Sequence, residues 1–175
     1  MFALSEFIIR FKKSREIQTA AGCSLIEYFP RAREDGLVMT AAGAAVELIR
    51  KTVQPGLPLP ALFDLTLAYL KRLDASPGKP KDYSEKLIWL YLIGFLKIMG
   101  FAPSFSREGG LPHMKPPVPA VREELVRLEG ARIGDIENTS FRHGRKITSS
   151  LTDALSACFE KNLQLNCLDF YYNFY

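Results

Sequence analysis

The stretch Leu87–Phe101, LIWLYLIGFLKIMGF, limits the fold more than any other part of the chain. It is apolar around nearly the whole circumference of a helix, with Lys97 as its single charge. A membrane-spanning helix needs roughly 20 consecutive apolar residues. This run is shorter, preceded by Lys86 and broken by Lys97, so it is not expected to cross a bilayer. A helix apolar on all sides is one that other helices surround. Gly94 leaves room for a close neighbour, Gly100 is placed to end the helix in a left-handed cap, and Pro103 blocks its resumption. The run therefore predicts the hub of a helical bundle, over about residues 83–101.

A hub needs material around it. The chain has 175 residues, enough for one domain or one domain with a small appendage. Hydrophobic residues make up 47% and charged residues 24%, which supplies a real core and argues against disorder. Residues 4–12, LSEFIIRFK, alternate as a strand does, KKSR reads as a turn, and residues 16–21 read as a weaker return strand. Beyond Pro30 the period becomes helical. Helices are expected at 35–53, at 60–74 with Pro60 in the first turn, at 118–130 and at 147–163, with a last short helix in the tail. Ser150 and Asp153 resemble a capping box for the helix at 147. Residues 102–118 are proline-rich with a Gly109–Gly110 pair, and read as a long loop; 132–146 read as irregular. The prediction is a mainly α chain: a helical bundle around a central apolar helix at 30–175, preceded by a β segment at 1–29.

Enzyme signatures are not found. No phosphate-binding or dinucleotide-binding glycine motif and no nucleophile elbow is present. His113 and His143 stand apart from any nucleophile, so a surface or capping role is expected of each. Glu123–Glu124 reads as a solvated helix face. Cys23, Cys158 and Cys167 have no zinc-site spacing, so neither metal nor cofactor is expected, and a reducing, cytoplasmic setting follows. The N-terminal segment lacks the order of a secretory signal. No enzymatic activity is expected.

The basic residues carry more. Lys and Arg number 23 against 19 Asp and Glu, a formal net charge of +4 that permits nucleic-acid binding without requiring it. Arg10, Lys12, Lys13 and Arg15 cluster on the expected hairpin among aromatics, and Arg142, Arg145 and Lys146 precede a helix. Clustered cations neutralise phosphates, and interleaved aromatics suit single strands. The alternative is a solvated face, or, at helix ends, complementation of helix dipoles. Arg50 and Lys51 form a further basic pair. Phe170, Tyr171, Tyr172, Phe174 and Tyr175 are expected mainly to pin the last helix to the core.

The ordered set FALSEFIIRF, REIQT, SLIEYFPRAREDG, AAVELIRK, PALFDLTLAYLKRL and LIGFLKIMGFAPSF resembles the RecO family of bacterial recombination mediators. The likeness is strongest over residues 7–105, and KNLQLNCLDFY is similar to the family's last helix. The resemblance implies that the hairpin is a remnant of an OB-type barrel whose first strands are absent here; an OB fold has five strands. It also implies binding to single- and double-stranded DNA, annealing, engagement of the acidic tail of single-stranded DNA-binding protein, and recombinase loading with a RecR-like partner, in a bacterial cytoplasm near the nucleoid. An acidic tail ending in an aromatic would need an apolar groove rimmed by cations, for which Lys71, Arg72, Lys86 and Lys97 are candidates. SREGGLPHMKPPVP, where many family members carry four zinc-binding cysteines, has none. The alternative function is a helical protein-interaction module with a peptide-docking groove and no DNA binding.

Overall fold

A computed structural model describes residues 2–76, 81–101, 103–106, 117–131, 140–160 and 163–174. His113, the Gly109–Gly110 pair, the segment 132–139 and Tyr175 lie outside the described residues.

The chain starts with an antiparallel hairpin of β1 (Ala3–Arg10) and β2 (Thr19–Tyr28). The return strand begins and ends later than 16–21 because the connection is a loop, closed by one side chain. The Lys12 N–H donates to Gln18 Oε1 at 2.7 Å, and Gln18 Nε2 donates to the Lys12 and Arg15 carbonyls at 3.2 and 2.5 Å. Pairing runs from Arg10↔Thr19 to Ala3↔Tyr28, with register shifts at Leu4/Ser5 and Ile8/Ile9. Both shifts place an extra residue on β2, Ile26 and Ala21, so β1 remains regular.

The hairpin leads through buried Phe29 into the helices: α1 (Arg31–Glu34), α2 (Gly36–Thr52), α3 (Pro60–Asp74), α4 (Lys81–Ile98), α5 (Pro119–Gly130), α6 (Gly144–Cys158) and α7 (Asn166–Phe174). The molecule is mainly α, as expected, and α4 is its hub. Twelve of its eighteen residues are buried, and α2, α3, α5 and α6 all pack on it. The Ala-rich face of α2 comes close to the bundle through Ala41, Ala42, Ala44 and Ala45, all buried. A Cβ on Gly94 would stand 3.1 Å from both methyls of Leu65 on α3, which is why glycine sits at that crossing. Gly100 ends α4 at φ 86°, with Phe101 N–H donating to the Leu96 carbonyl and Gly100 N–H to that of Lys97, a Schellman stop. No helix among the described residues is long and apolar enough to cross a membrane.

Three helices receive N-terminal caps from carboxylates far along the chain. Asp74 at the end of α3 accepts the Arg31 N–H at 2.8 Å. Glu47 on α2 accepts the N–H groups of Asn166 and Cys167 at 3.1 and 3.0 Å, where α7 starts. Glu124 on α5 accepts those of Arg142 and His143 at 3.0 and 3.2 Å, where α6 starts. These bonds replace the local caps that satisfy orphan N–H groups. They correct two expectations: Glu124 is buried rather than solvated, and α6 starts at Gly144, leaving Ser150 and Asp153 inside the helix. Tyr171 is buried, as expected of the tail aromatics, whereas Phe170 is exposed.

Candidate nucleic-acid interface

Arg10 is the last residue of β1, and Lys12, Lys13 and Arg15 follow in the loop that Gln18 buckles. The Gln18 bonds hold the Lys12 and Arg15 backbones together, and the Arg15 N–H also donates to the Lys12 carbonyl at 3.1 Å. Arg10, Lys12, Arg15, Gln18 and Thr19 line one hollow of about 130 Å³. Lys13 is exposed beside it, and the Phe11 ring is 72% exposed. None of these four cations forms an ion pair among the described residues. The hairpin tip thus presents concentrated positive charge with an aromatic ring in reach.

Arg142, Arg145 and Lys146 sit at the start of α6 and are exposed. The Arg142 side chain lines a hollow of about 360 Å³ with Glu123, Glu124, Arg127, Ser140 and His143. Arg145 Nη2 donates to the Tyr172 carbonyl at 2.8 Å, fastening α6 to α7. Three cations at a helix N-terminus oppose the helix dipole. Glu124 offsets them from beneath. Burial disfavours its charge, but hydrogen bonds from the Arg142 and His143 backbones, with the His143 ring 3.3 Å away, outweigh burial and hold the carboxyl below its ordinary value. The result is a positive surface over a buried negative anchor. The two basic groups belong to separate elements: the hairpin is anchored on α1 and α3, and α6 packs on α4 and α5.

Three of the four candidate docking cations have partners of their own. Lys71 pairs with Glu27 of β2 at 2.7 Å and ties the hairpin to α3. Arg72 is exposed in the last turn of α3. Lys86 is drawn inward, its side chain 7% exposed, 3.4 Å from Asp82. Lys97 Nζ donates to the Glu129 carbonyl at 2.8 Å and caps the end of α5. Lys51 is likewise occupied, by Glu47 and the Gln164 carbonyl.

Reading residue types missed Glu124 and Arg127. The signal was available for Glu124: it falls on the inward stripe Val121, Glu124, Leu125, Leu128, where a carboxylate needs a partner. Arg127 joins the same hollow, 3.8 Å from Glu124 and over the Phe141 ring. No group of three or more potential metal-binding side chains occurs among the described residues.

Residues 33–111 match the family model described as recombination protein O C terminal, so the match takes in α2, α3, α4 and the segment after them. The DNA repair protein RecO of Geobacter metallireducens is 32% identical over 90 residues, 51% of this chain and 35% of that protein. That of Anaeromyxobacter dehalogenans is 30% identical over 102 residues, 58% of this chain and 38% of its own length. That of Salinibacter ruber is 28% identical over 106 residues, 60% and 39% of the two chains. The chain spans well under half the length of the curated relatives it matches. No solved structure matches it significantly.

Proposed function

We propose that this chain is a member of the RecO family, on the match of residues 33–111 and its likeness to curated RecO proteins, and that it serves DNA repair as a DNA-binding protein rather than an enzyme. The observation that carries this reading is the hairpin tip, where Arg10, Lys12 and Arg15 line one hollow beside the exposed Phe11 ring. Phosphates neutralised by such a cluster release counterions, and a base stacks on an exposed ring. Arg142, Arg145 and Lys146 form the second contact, on a separate element, so that a strand held at both is presented extended. Holding extended strands of either sequence is what annealing requires, and double-stranded DNA is bound through the same phosphate contacts. The finer roles follow the family resemblance: engagement of the acidic tail of single-stranded DNA-binding protein, cooperation with a RecR-like partner in loading the recombinase, and a place in the bacterial cytoplasm at the nucleoid.

For tail docking, the exposed side of α3 is the best-supported surface. Phe63 is exposed there, with Lys71 and Arg72 a little over two turns on; Lys97 fastens the hub to the end of α5. A protein-interaction module without DNA binding is the second reading, and this face of α3 is what favours it.

Fluorescence anisotropy of a labelled single-stranded oligonucleotide, titrated at several salt concentrations, separates the two. Log affinity is expected to fall with log salt by about 0.7 per neutralised phosphate. The double variant Lys12→Glu, Arg15→Glu should weaken binding and reduce that slope by roughly 1.4. No binding at low salt removes the DNA reading and leaves an acidic, Phe-ending peptide as the ligand to titrate.

A further inference from the structure

The hairpin is a two-stranded sheet with an edge on each side and no third strand among the described residues. Phe7, Ile8 and Ile9 on β1 are 57%, 66% and 58% exposed. Successive strand residues point to opposite faces, so both faces of β1 offer apolar surface to water. A hairpin alone is marginally stable, and an exposed, apolar, regular edge is a template for another strand.

The two edges differ. β2 carries both bulged residues, Ala21 and Ile26, which bend and twist it, and its Glu27 is held by Lys71 of α3. β1 has no extra residue and keeps regular spacing along its length. Its sequence is also self-complementary when run antiparallel against itself. With Ile8 opposite Ile8, Phe7 faces Ile9, and Glu6 faces Arg10 on both sides of the centre. Sliding one residue either way leaves both charges opposite uncharged side chains, and a parallel in-register pair would set Glu6 against Glu6. Only the Ile8-centred antiparallel register matches both charges and apolar groups.

We propose that β1 pairs antiparallel with β1 of a second copy of this chain, about a two-fold axis at Ile8. The product is a four-stranded sheet ordered β2, β1, β1, β2, with one helical body at each end. The antiparallel arrangement sets the two basic tips apart, so their like charges do not oppose assembly. Such an isologous contact is closed, and it removes the β1 edge from both copies.

The test is the oligomeric state without DNA, by sedimentation equilibrium across a concentration series. The wild-type chain is expected to dimerise. Glu6→Arg and Arg10→Glu should each raise the dimer dissociation constant roughly tenfold or more, since each converts two attractive cross-strand pairs into repulsive ones. Mixing the two single variants should restore association, because opposite charges then face each other in the mixed dimer. The double variant Glu6→Arg, Arg10→Glu should restore it within one chain. Helical circular dichroism shows that each variant is folded. A monomer at every concentration assigns the edge to some other occupant and overturns the proposal, as does a dimer indifferent to both single changes or singles that fail to associate when mixed. Arg10 also belongs to the proposed DNA surface, but Glu6 does not, and no DNA is present.

Discussion

Glu124 shows how much one side chain can hold. It is buried, and from a different helix its two oxygens accept the N–H groups of Arg142 and His143, the two residues just before α6. Alanine there leaves both donors without their partner, and each such loss costs about 1–3 kcal/mol. Glu124→Ala is therefore expected to lower the urea midpoint by an amount equivalent to about 2–4 kcal/mol, with the loss centred on α6. Glu47 works in the same way on α7. Burial disfavours its charge, while hydrogen bonds from the Cys167 backbone, Lys51 and the Asn166 backbone outweigh burial and lower its pKa below 4.5. A carboxyl depressed in the folded state stabilises fully above its unfolded pKa, and loses that contribution as pH falls through the folded one. Stability carried by Glu47 and Glu124 should thus be complete at neutral pH and decline below about pH 4.5. Thermal melts from pH 7 to pH 3 should show a shallower acid decline in the variant Glu47→Gln, Glu124→Gln than in the wild type; equal slopes would place the acid sensitivity elsewhere.

At the scale of elements, α7 is sewn to the bundle by a polar chain as well as by packing. Trp89 of α4 donates its indole N–H to Thr148 Oγ1 of α6 at 2.8 Å, and that oxygen lies 2.5 Å from the Tyr172 hydroxyl of α7. Burial pushes the Tyr172 hydroxyl up to about 12, so it remains protonated and able to donate. Thr148→Val keeps the shape and removes the shared oxygen. It should cost about 1–3 kcal/mol and shift the emission of Trp89, the only tryptophan in the chain, as its polar partner is lost. Unchanged emission would show that the indole has another partner. Sequence patterns located α2, α3, α4 and α5 closely because each has a long apolar stripe and a local boundary signal, such as Pro60 at the start of α3, Gly100 just past the end of α4 or Gly130 at the end of α5. They placed α6 three residues late, since its N-terminal partner lies on α5 and no local pattern records it. They drew the docking rim from residue type alone, whereas Lys71 and Lys97 each find a partner on another element and Lys86 is buried beside Asp82 one turn earlier on α4. The Arg10–Arg15 cluster was legible because a short loop keeps sequence neighbours together in space.

The whole molecule pairs a tightly buried hub with a sparsely anchored hairpin. The hairpin's anchors are at its base: Phe2 and Leu4 against the core, buried Phe29, the Lys71–Glu27 ion pair, and Arg33 donating to the Tyr28 hydroxyl at 2.7 Å. Local opening is easiest where few apolar contacts are buried. Hydrogen exchange should accordingly report α4 amides that open only with global unfolding and hairpin amides that open more readily, with protection of β1 rising as protein concentration is raised. Concentration-independent exchange in β1 would separate the edge from any self-association. The clasp between α2 and α7 has a different consequence, one of timing. Glu47 is separated by about 120 residues from the amides it caps. At a synthesis rate of roughly 5–20 residues per second, it waits about 6–24 s for them to be made. During that interval the face of α2 that receives α7 is uncovered, so a ribosome stalled before residue 166 displays a bundle that cannot yet close. Helix α7 therefore acts as the latch by which the bundle closes on α2.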